Sequence, residues 1–331
     1  MSNLAPYPWQ QSLWSVLVQR AQAGRLPHAL LLTGPTGMGK RDFAERFSHA
    51  LLCETPAADG QPCGHCRGCL LLQAGSHPDY LRVEPEEEGK AIGVDAIRAL
   101  SRFQGLKSQY GRQRVIQLQP ADALNANAAN ALLKTLEEPA GETVLLLTTG
   151  RPMSLLATVR SRCQQQKFQP LAKASAEVEQ WLAAQLPPGS YEPSLLLQMA
   201  GGAPLQALAL ASGEELALRE ELLADLAALE QGEGDPVTLG EKWYSVGSHK
   251  VLPWLYRSVA DMVKLKLAPA AQRLHHPLQR QQLQALAEQV DLYFLQALLD
   301  KVQGRIGLLH RQANQQVILE ELLLAWKQRR I

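Results

Sequence analysis

The sequence lacks a surplus of charge of either sign. Thirty-three Lys and Arg stand against 32 Asp and Glu, a net charge of +1, so no global field draws the chain onto nucleic acid. Any DNA contact must be local or shared with partners. An export signal is lacking too: Met1-Ser-Asn-Leu-Ala-Pro-Tyr-Pro-Trp9 has neither a basic nor an apolar region, and a cytoplasmic location is expected. No membrane segment is expected either. The longest conspicuous uncharged stretch, Pro193 to about Gly213, is interrupted by Gly201, Gly202 and Pro204, which a hydrocarbon-spanning helix carries only at a cost. No internal repeat of fixed period occurs.

What is present is an ordinary globular composition, 46% hydrophobic and 20% charged over 331 residues. That excludes a disordered chain or a disulfide-stapled miniature and leaves room for two or three domains. From Ala29 to about Gln169 short apolar runs alternate with helix-like stretches, the pattern of a parallel sheet covered by helices. Strands are predicted at Ala29–Leu32, Tyr80–Val83, Arg114–Leu118, Val144–Thr148 and Gln164–Phe168, with helices after Lys40, Asp95 and Asn125. Beyond Pro170 the strand signal stops. Ser175–Gln185, Ser194–Ala200 and Pro204–Ala211 read as short helices broken by Pro-Pro-Gly and Gly-Gly. From Glu214 onward Leu recurs at helical spacing, as at Leu216, Leu222, Leu223, Leu226 and Leu229. Further amphipathic helices are predicted near Val251–Leu267 and Leu278–Leu299, with a break between helices at Gly232, Gly234 and Pro236.

Gly34-Pro-Thr-Gly-Met-Gly-Lys40 lies between an apolar strand and a helix-prone run, the required context of a phosphate loop. Gly34, Gly37 and Gly39 let backbone N–H groups converge on phosphate oxygens, and Lys40 supplies a point charge. A glycine-rich turn that binds nothing is the bland alternative. Arg41 stands where Ser or Thr would hold Mg²⁺, and the strand Arg114–Leu118 ends in Gln119 and Pro120 rather than in carboxylates, with Asp122 in the following loop. Both the metal-holding hydroxyl and the acidic pair are missing, so little or no ATP hydrolysis is expected of the isolated chain. The complete glycines and Lys40 leave weak nucleotide or phosphate binding without Mg²⁺ open.

Four of the five cysteines, Cys53, Cys63, Cys66 and Cys69, lie within seventeen residues. In a reducing compartment such clustering favours a closed tetrahedral shell around structural Zn²⁺ over reduced thiols or a redox or iron–sulfur role, with His65 as the substitute ligand should one cysteine prove distant. A zinc ribbon that grips DNA is a sharper alternative, but Arg67 alone supplies positive charge within it. Glu86-Glu-Glu88 reads as a solvated loop.

The run Asn130-Ala-Leu-Leu-Lys-Thr-Leu-Glu-Glu-Pro139, a following strand, Ser161-Arg162-Cys163, Gly93-Val-Asp-Ala-Ile-Arg98 and the Cys-x9-Cys-x2-Cys-x2-Cys insertion together resemble the bacterial clamp-loader branch of the AAA+ proteins. The resemblance covers nearly the whole chain, and its defective motifs are similar to those of a non-motor member. It implies three domains: an AAA+ P-loop α/β domain over 1–170 with a zinc module at 53–69, a helical lid over 171–213, and an all-α collar over 214–331. It implies that Arg162, which spacing alone would make an ordinary helix-end arginine, is an arginine finger serving the γ-phosphate of a neighbouring subunit in trans. It also puts Thr148 or Thr149 at the first sensor position, and Leu205 where a motor's second sensor has arginine. The implied partners are tau/gamma motor subunits and a delta subunit in a hetero-pentamer, and through that complex the sliding clamp and primed DNA. The collar leucines of Glu320-Glu-Leu-Leu-Leu-Ala-Trp326 face either those partners or an intrachain core. An independent motor-type ATPase and a zinc-dependent nucleic-acid binder are the competing readings.

Overall fold

The computed structural model describes residues 4–87, 89–110, 113–139, 141–172, 175–211, 214–271, 273–309 and 314–329. Two of the sequence landmarks, Glu88 and Gly213, lie outside the described residues. The chain divides into two compact units, one of residues 1–182 with 203–206, the other of 183–202 with 207–331.

The first unit runs α1 (Gln11–Gln22), β1 (Ala29–Thr33), α2 (Lys40–Leu52), α3 (Arg67–Gln73), β2 (Tyr80–Val83), α4 (Val94–Gln104), β3 (Arg114–Leu118), α5 (Ala126–Glu137), β4 (Thr143–Thr149), α6 (Ala157–Ser161) and β5 (Gln164–Lys167). α7 (Ala176–Gln185) begins in this unit. The five strands form one parallel sheet in the order β2-β3-β4-β1-β5. Every residue of β1, β3 and β4 is buried, which is why these strands read as continuous apolar runs rather than as alternating ones.

The twofold alternation of strand side chains splits that burial between two cores. Leu30, Leu32, Val115, Val144 and Leu146 meet Trp14, Leu17, Phe43 and Phe47 of α1 and α2 on one face. Ala29, Leu31, Ile116, Leu145 and Leu147 meet Ile97, Leu100, Leu132, Leu136 and Val159 of α4, α5 and α6 on the other. Trp14 packs edge-on against Phe43 and Phe47 at ring separations of 5.8 and 5.7 Å, a geometry that contributes about 0.5–1.5 kcal/mol per pair beyond area burial.

The predicted strands and the helices after Lys40, Asp95 and Asn125 all form. β5 is the exposed polar edge; its Gln164-Gln-Gln-Lys167 sequence suits a strand whose outer side meets water. The acidic stretch is exposed at Glu86 and Glu87, and Glu87 pairs with Lys90 at 2.6 Å.

The second unit is helical, with α8 (Pro193–Met199), α9 (Pro204–Leu210, begun in the first unit), α10 (Glu214–Glu230), α11 (Pro236–Val246), α12 (Ser248–Leu267), α13 (Arg280–Gln289), α14 (Leu292–Ile306) and α15 (Gln315–Gln328). Its core gathers Leu222, Leu223, Leu226 and Leu229 around Trp243, Trp254 and Trp326. The indole of Trp326 donates to the carbonyl of Leu226 at 3.1 Å. One expected helix, over Leu278–Leu299, is two. Val290, in an extended conformation, ends the first, and Asp291 caps the second by accepting from the amides of Tyr293 and Phe294, as an aspartate favours the N-cap over a helix interior. Of the C-terminal leucines, Leu322 and Leu323 enter the core while Leu324 is 45% exposed.

One buried charge fixes the approach to β3. Asp79, fully buried, accepts from the amides of Gln109 and Tyr110 and the hydroxyl of Ser108 at 2.9–3.1 Å. Arg114 lies 3.6 Å away and is itself held by the carbonyls of Phe103 and Lys107. Burial alone would raise the Asp79 pKa, but the amides of Gln109 and Tyr110, Ser108 and His77 together hold it below the ordinary range. A carboxyl lowered in the folded state stabilises above its unfolded pKa of about 3.9 and loses that contribution as pH falls. Asp79→Asn should therefore cost about 3 kcal/mol at neutral pH, and chemical denaturation should find the difference from the parent shrinking below about pH 4.

Candidate functional site

In a parallel sheet, ligands gather at the carboxyl ends of the strands where the strand order reverses. Here that point is the end of β1, whose neighbours on both sides arrive later in the chain. The register pairs Thr33 with Thr149, so the loop Gly34–Gly39 leaves the sheet directly beside the end of β4. A cavity of about 290 Å³ opens there, lined among others by Thr36, Gly37, Lys40, Arg41, Thr148 and Thr149. Leu205 also lines it, and its amide donates to the Gly37 carbonyl at 3.0 Å.

All three loop glycines have positive φ, at +145°, +83° and +75° for Gly34, Gly37 and Gly39. Packing demands them as well. A Cβ on Gly34 would sit 2.2 Å from the Phe168 carbonyl oxygen, and one on Gly37 would sit 2.7 Å from the Gln206 Cβ. Gly39, left-handed, is the N-cap of α2.

The N-terminal segment closes over the loop. Trp9 Nε1 and Gln10 Nε2 both donate to the Met38 carbonyl, at 3.1 and 2.9 Å, and Gln10 reaches Gly39 as well at 3.0 Å. Tyr7 stacks on Trp9 with rings 4.7 Å apart and donates its hydroxyl to Asp42 at 2.9 Å. Nothing in the sequence motif signals this cover, because its residues lie some thirty positions upstream of their acceptors.

Lys40 Nζ donates to the Pro35 carbonyl at 2.8 Å, within its own loop. Burial lowers its pKa, opposed by the charge of Asp122. Arg41 projects towards Glu84 at 3.4 Å across an exposed surface. Gln119 is buried and accepts from Gln117 at 2.6 Å, so the end of β3 presents amide groups where a carboxylate would be needed. Asp122 is committed elsewhere: it accepts the Thr149 hydroxyl at 2.6 Å and two guanidinium bonds from Arg151 at 2.9 and 2.7 Å. That Asp122–Arg151 pair beside Thr149 is a feature the sequence reading missed; its members are 29 residues apart and belong to no motif. Arg162 caps the C-terminus of α6, donating to the Thr158 carbonyl at 3.1 Å and pairing with Glu137.

The four cysteines converge between α2 and α3, with all sulfurs within 4.8 Å of one another. Cys53–Cys66 and Cys63–Cys69 are each 3.9 Å apart. Tetrahedral zinc at about 2.3 Å from each sulfur requires S···S edges of about 3.8 Å, so the donor set fits that ion. The amides of Cys63, Cys66 and Cys69 donate to the sulfurs of Cys53, Cys63 and Cys66 at 3.3–3.4 Å, the outer shell that orients thiolate ligands. The Thr55 hydroxyl, together with the amides of His65 and Cys66, draws the Cys63 thiol down to about 5, while burial pushes Cys53 and Cys69 up. Four sulfurs packed this closely are the donor set of a soft cation. His65 turns away to the Cys63 carbonyl at 2.9 Å and is exposed, so it is no substitute ligand.

A five-stranded parallel sheet with a phosphate loop at its β1–α2 turn, a cysteine module inserted after α2 and a helical remainder define a P-loop α/β protein. A family model described as DNA polymerase III, delta subunit, matches residues 9–172, and one described as DNA polymerase III, delta subunit, C terminal, matches 213–328. The DNA polymerase III subunit delta' of Pseudomonas aeruginosa is 41% identical over 97% of this chain and 97% of its own. That of Escherichia coli is 38% identical over 78% of this chain and 76% of its own. The tau/gamma subunit of Haemophilus influenzae is 32% identical over 53% of this chain but only 24% of its own. The chain belongs to the DNA polymerase III delta' family.

The loop geometry generates a test independent of any ligand. Gly34→Ala should destabilise the chain by about 3 kcal/mol through overpacking against Phe168 and backbone strain. Thermal unfolding without nucleotide should register this loss in full if the glycine serves the fold.

Proposed function

We propose that the chain acts as the non-motor delta' subunit of a clamp loader, helping to load a sliding clamp onto primed DNA while lending Arg162 to the nucleotide site of a neighbouring motor subunit. The observation that carries this reading is a separation. β5 pairs with β1 in parallel from Leu30↔Gln164 onward, so Arg162 stands just before the amino end of β5 while the phosphate loop leaves the carboxyl end of β1. At about 3.3 Å per residue the two lie some 15–20 Å apart along the sheet, beyond the reach of one side chain. Arg162 cannot serve its own loop. Half-exposed at a helix end, it suits a neighbour's phosphate instead.

The chain's own cavity supports the complementary half of the reading. Arg41 replaces the hydroxyl that would hold Mg²⁺, Gln119 and Pro120 replace the acidic strand end, and Leu205 brings no charge. Asp42, the carboxylate in the lining, accepts from Tyr7. These groups can neither hold the metal nor polarise an attacking water. Gly34, Gly37, Gly39 and Lys40, with Thr148 and Thr149 alongside, remain a site for weak phosphate binding without turnover. The proposed partners are tau/gamma motor subunits and a delta subunit in a hetero-pentamer, and through them the clamp and primed DNA. The three-part division, with a sheet domain to about Pro170, a helical lid to about Gly213 and a collar that joins the ring, belongs to the same reading. So does a cytoplasmic location. No helix among the described residues is long and apolar enough to cross a membrane.

In a reconstituted loader, Arg162→Ala should slow hydrolysis at the neighbouring site by about 10³-fold or more, with assembly intact by mass measurement. The isolated chain should hydrolyse no ATP. Unchanged hydrolysis at that site would remove the finger, and brisk turnover by the chain alone would remove the non-motor reading.

Zinc is the metal we assign to Cys53, Cys63, Cys66 and Cys69. Bound there it fills its shell with sulfur and supplies local order, on the order of 10 kcal/mol, rather than reaction chemistry. Elemental analysis of the purified chain should find one zinc per molecule, lost in Cys63→Ser together with hydrogen-exchange protection around α3.

A further inference from the structure

Arg162 is tethered at two points. Its Nη1 donates to the Thr158 carbonyl at 3.1 Å, one turn back along α6, and its Nη2 pairs with Glu137. Glu137 is the last residue of α5, and α5 and α6 share the core formed by Leu132, Leu136 and Val159. The helix that carries the carboxylate is therefore fixed against the helix that presents the arginine. Both side chains stay open to solvent, at 35% and 47% exposure for Arg162 and Glu137.

An untethered surface arginine samples many rotamers, and fixing it beside a developing charge costs that freedom at the moment of reaction. We infer that Glu137 is a positioning residue for Arg162, setting the guanidinium plane before a partner arrives and leaving its remaining N–H donors for an incoming phosphate. This rests on the reading of Arg162 as a finger given above. The exposure decides how the pair acts. A buried carboxylate would hold the arginine back strongly, whereas a solvated ion pair is weak enough to orient the guanidinium without withholding it. Glu137 belongs neither to the lining of the loop cavity nor to the cysteine cluster, and acts through Arg162.

The test is a double-mutant cycle in the reconstituted loader, read as single-turnover ATP hydrolysis, with assembly checked by mass. Arg162→Ala first defines the part of turnover that depends on the finger. Glu137→Gln should lower that part about two- to fivefold, as expected for loss of an exposed ion pair, without changing apparent nucleotide affinity. In the Arg162→Ala background the same substitution should change nothing, since no guanidinium remains to be oriented. Glu137→Asp, which keeps the charge, should recover part of the loss. An unchanged rate in Glu137→Gln, or an equal loss in both backgrounds, overturns the positioning role while leaving the finger standing. No effect of Arg162→Ala itself overturns both.

Discussion

The pairing of β1 with β4 is the constraint from which the site follows. Both strands are buried on both faces, so their register is fixed by two cores at once, and a slip of one residue would turn Leu30 and Leu31 into the wrong layers. With the register set, Thr33 must stand opposite Thr149. The loop that begins at Gly34 then has no choice but to cross beside Thr148 and Thr149. The cavity, the Asp122–Arg151 pair and the seat of Leu205 are arranged around that crossing.

Within this frame the loop has been given other duties. Its carbonyl at Met38 receives Trp9 and Gln10, its carbonyl at Pro35 receives Lys40, and its glycines admit Phe168 and Gln206 at distances no side chain would allow. Lysine and glycines alike are therefore accounted for by packing and hydrogen bonding within the chain. A phosphate-loop pattern can be held in a sequence for these reasons whether or not it turns over nucleotide.

Much of this was legible in the sequence, and for identifiable reasons. The buried strands are short, apolar and punctuated, so periodicity found them. The cysteines carry their geometry in their spacing. The helix expected over Leu278–Leu299 failed at Asp291, where a cap interrupts a leucine pattern that continues on both sides. Contacts made across long chain separations were invisible: Asp122 with Arg151, Glu137 with Arg162, and Gln10 with the phosphate loop. Each depends on which elements become neighbours in space, and no local pattern in the chain supplies that. His65, held in reserve for the case of a distant cysteine, is not called on, because all four sulfurs come together.

The parallel run of β1 and β5 gives the molecule a direction. On the proposed reading, a guanidinium offered at one end and a phosphate cradle at the other suit head-to-tail association, the kind of heterologous contact that extends into rings or filaments. A member whose cradle does not fire would then finish a row of working sites without adding one of its own.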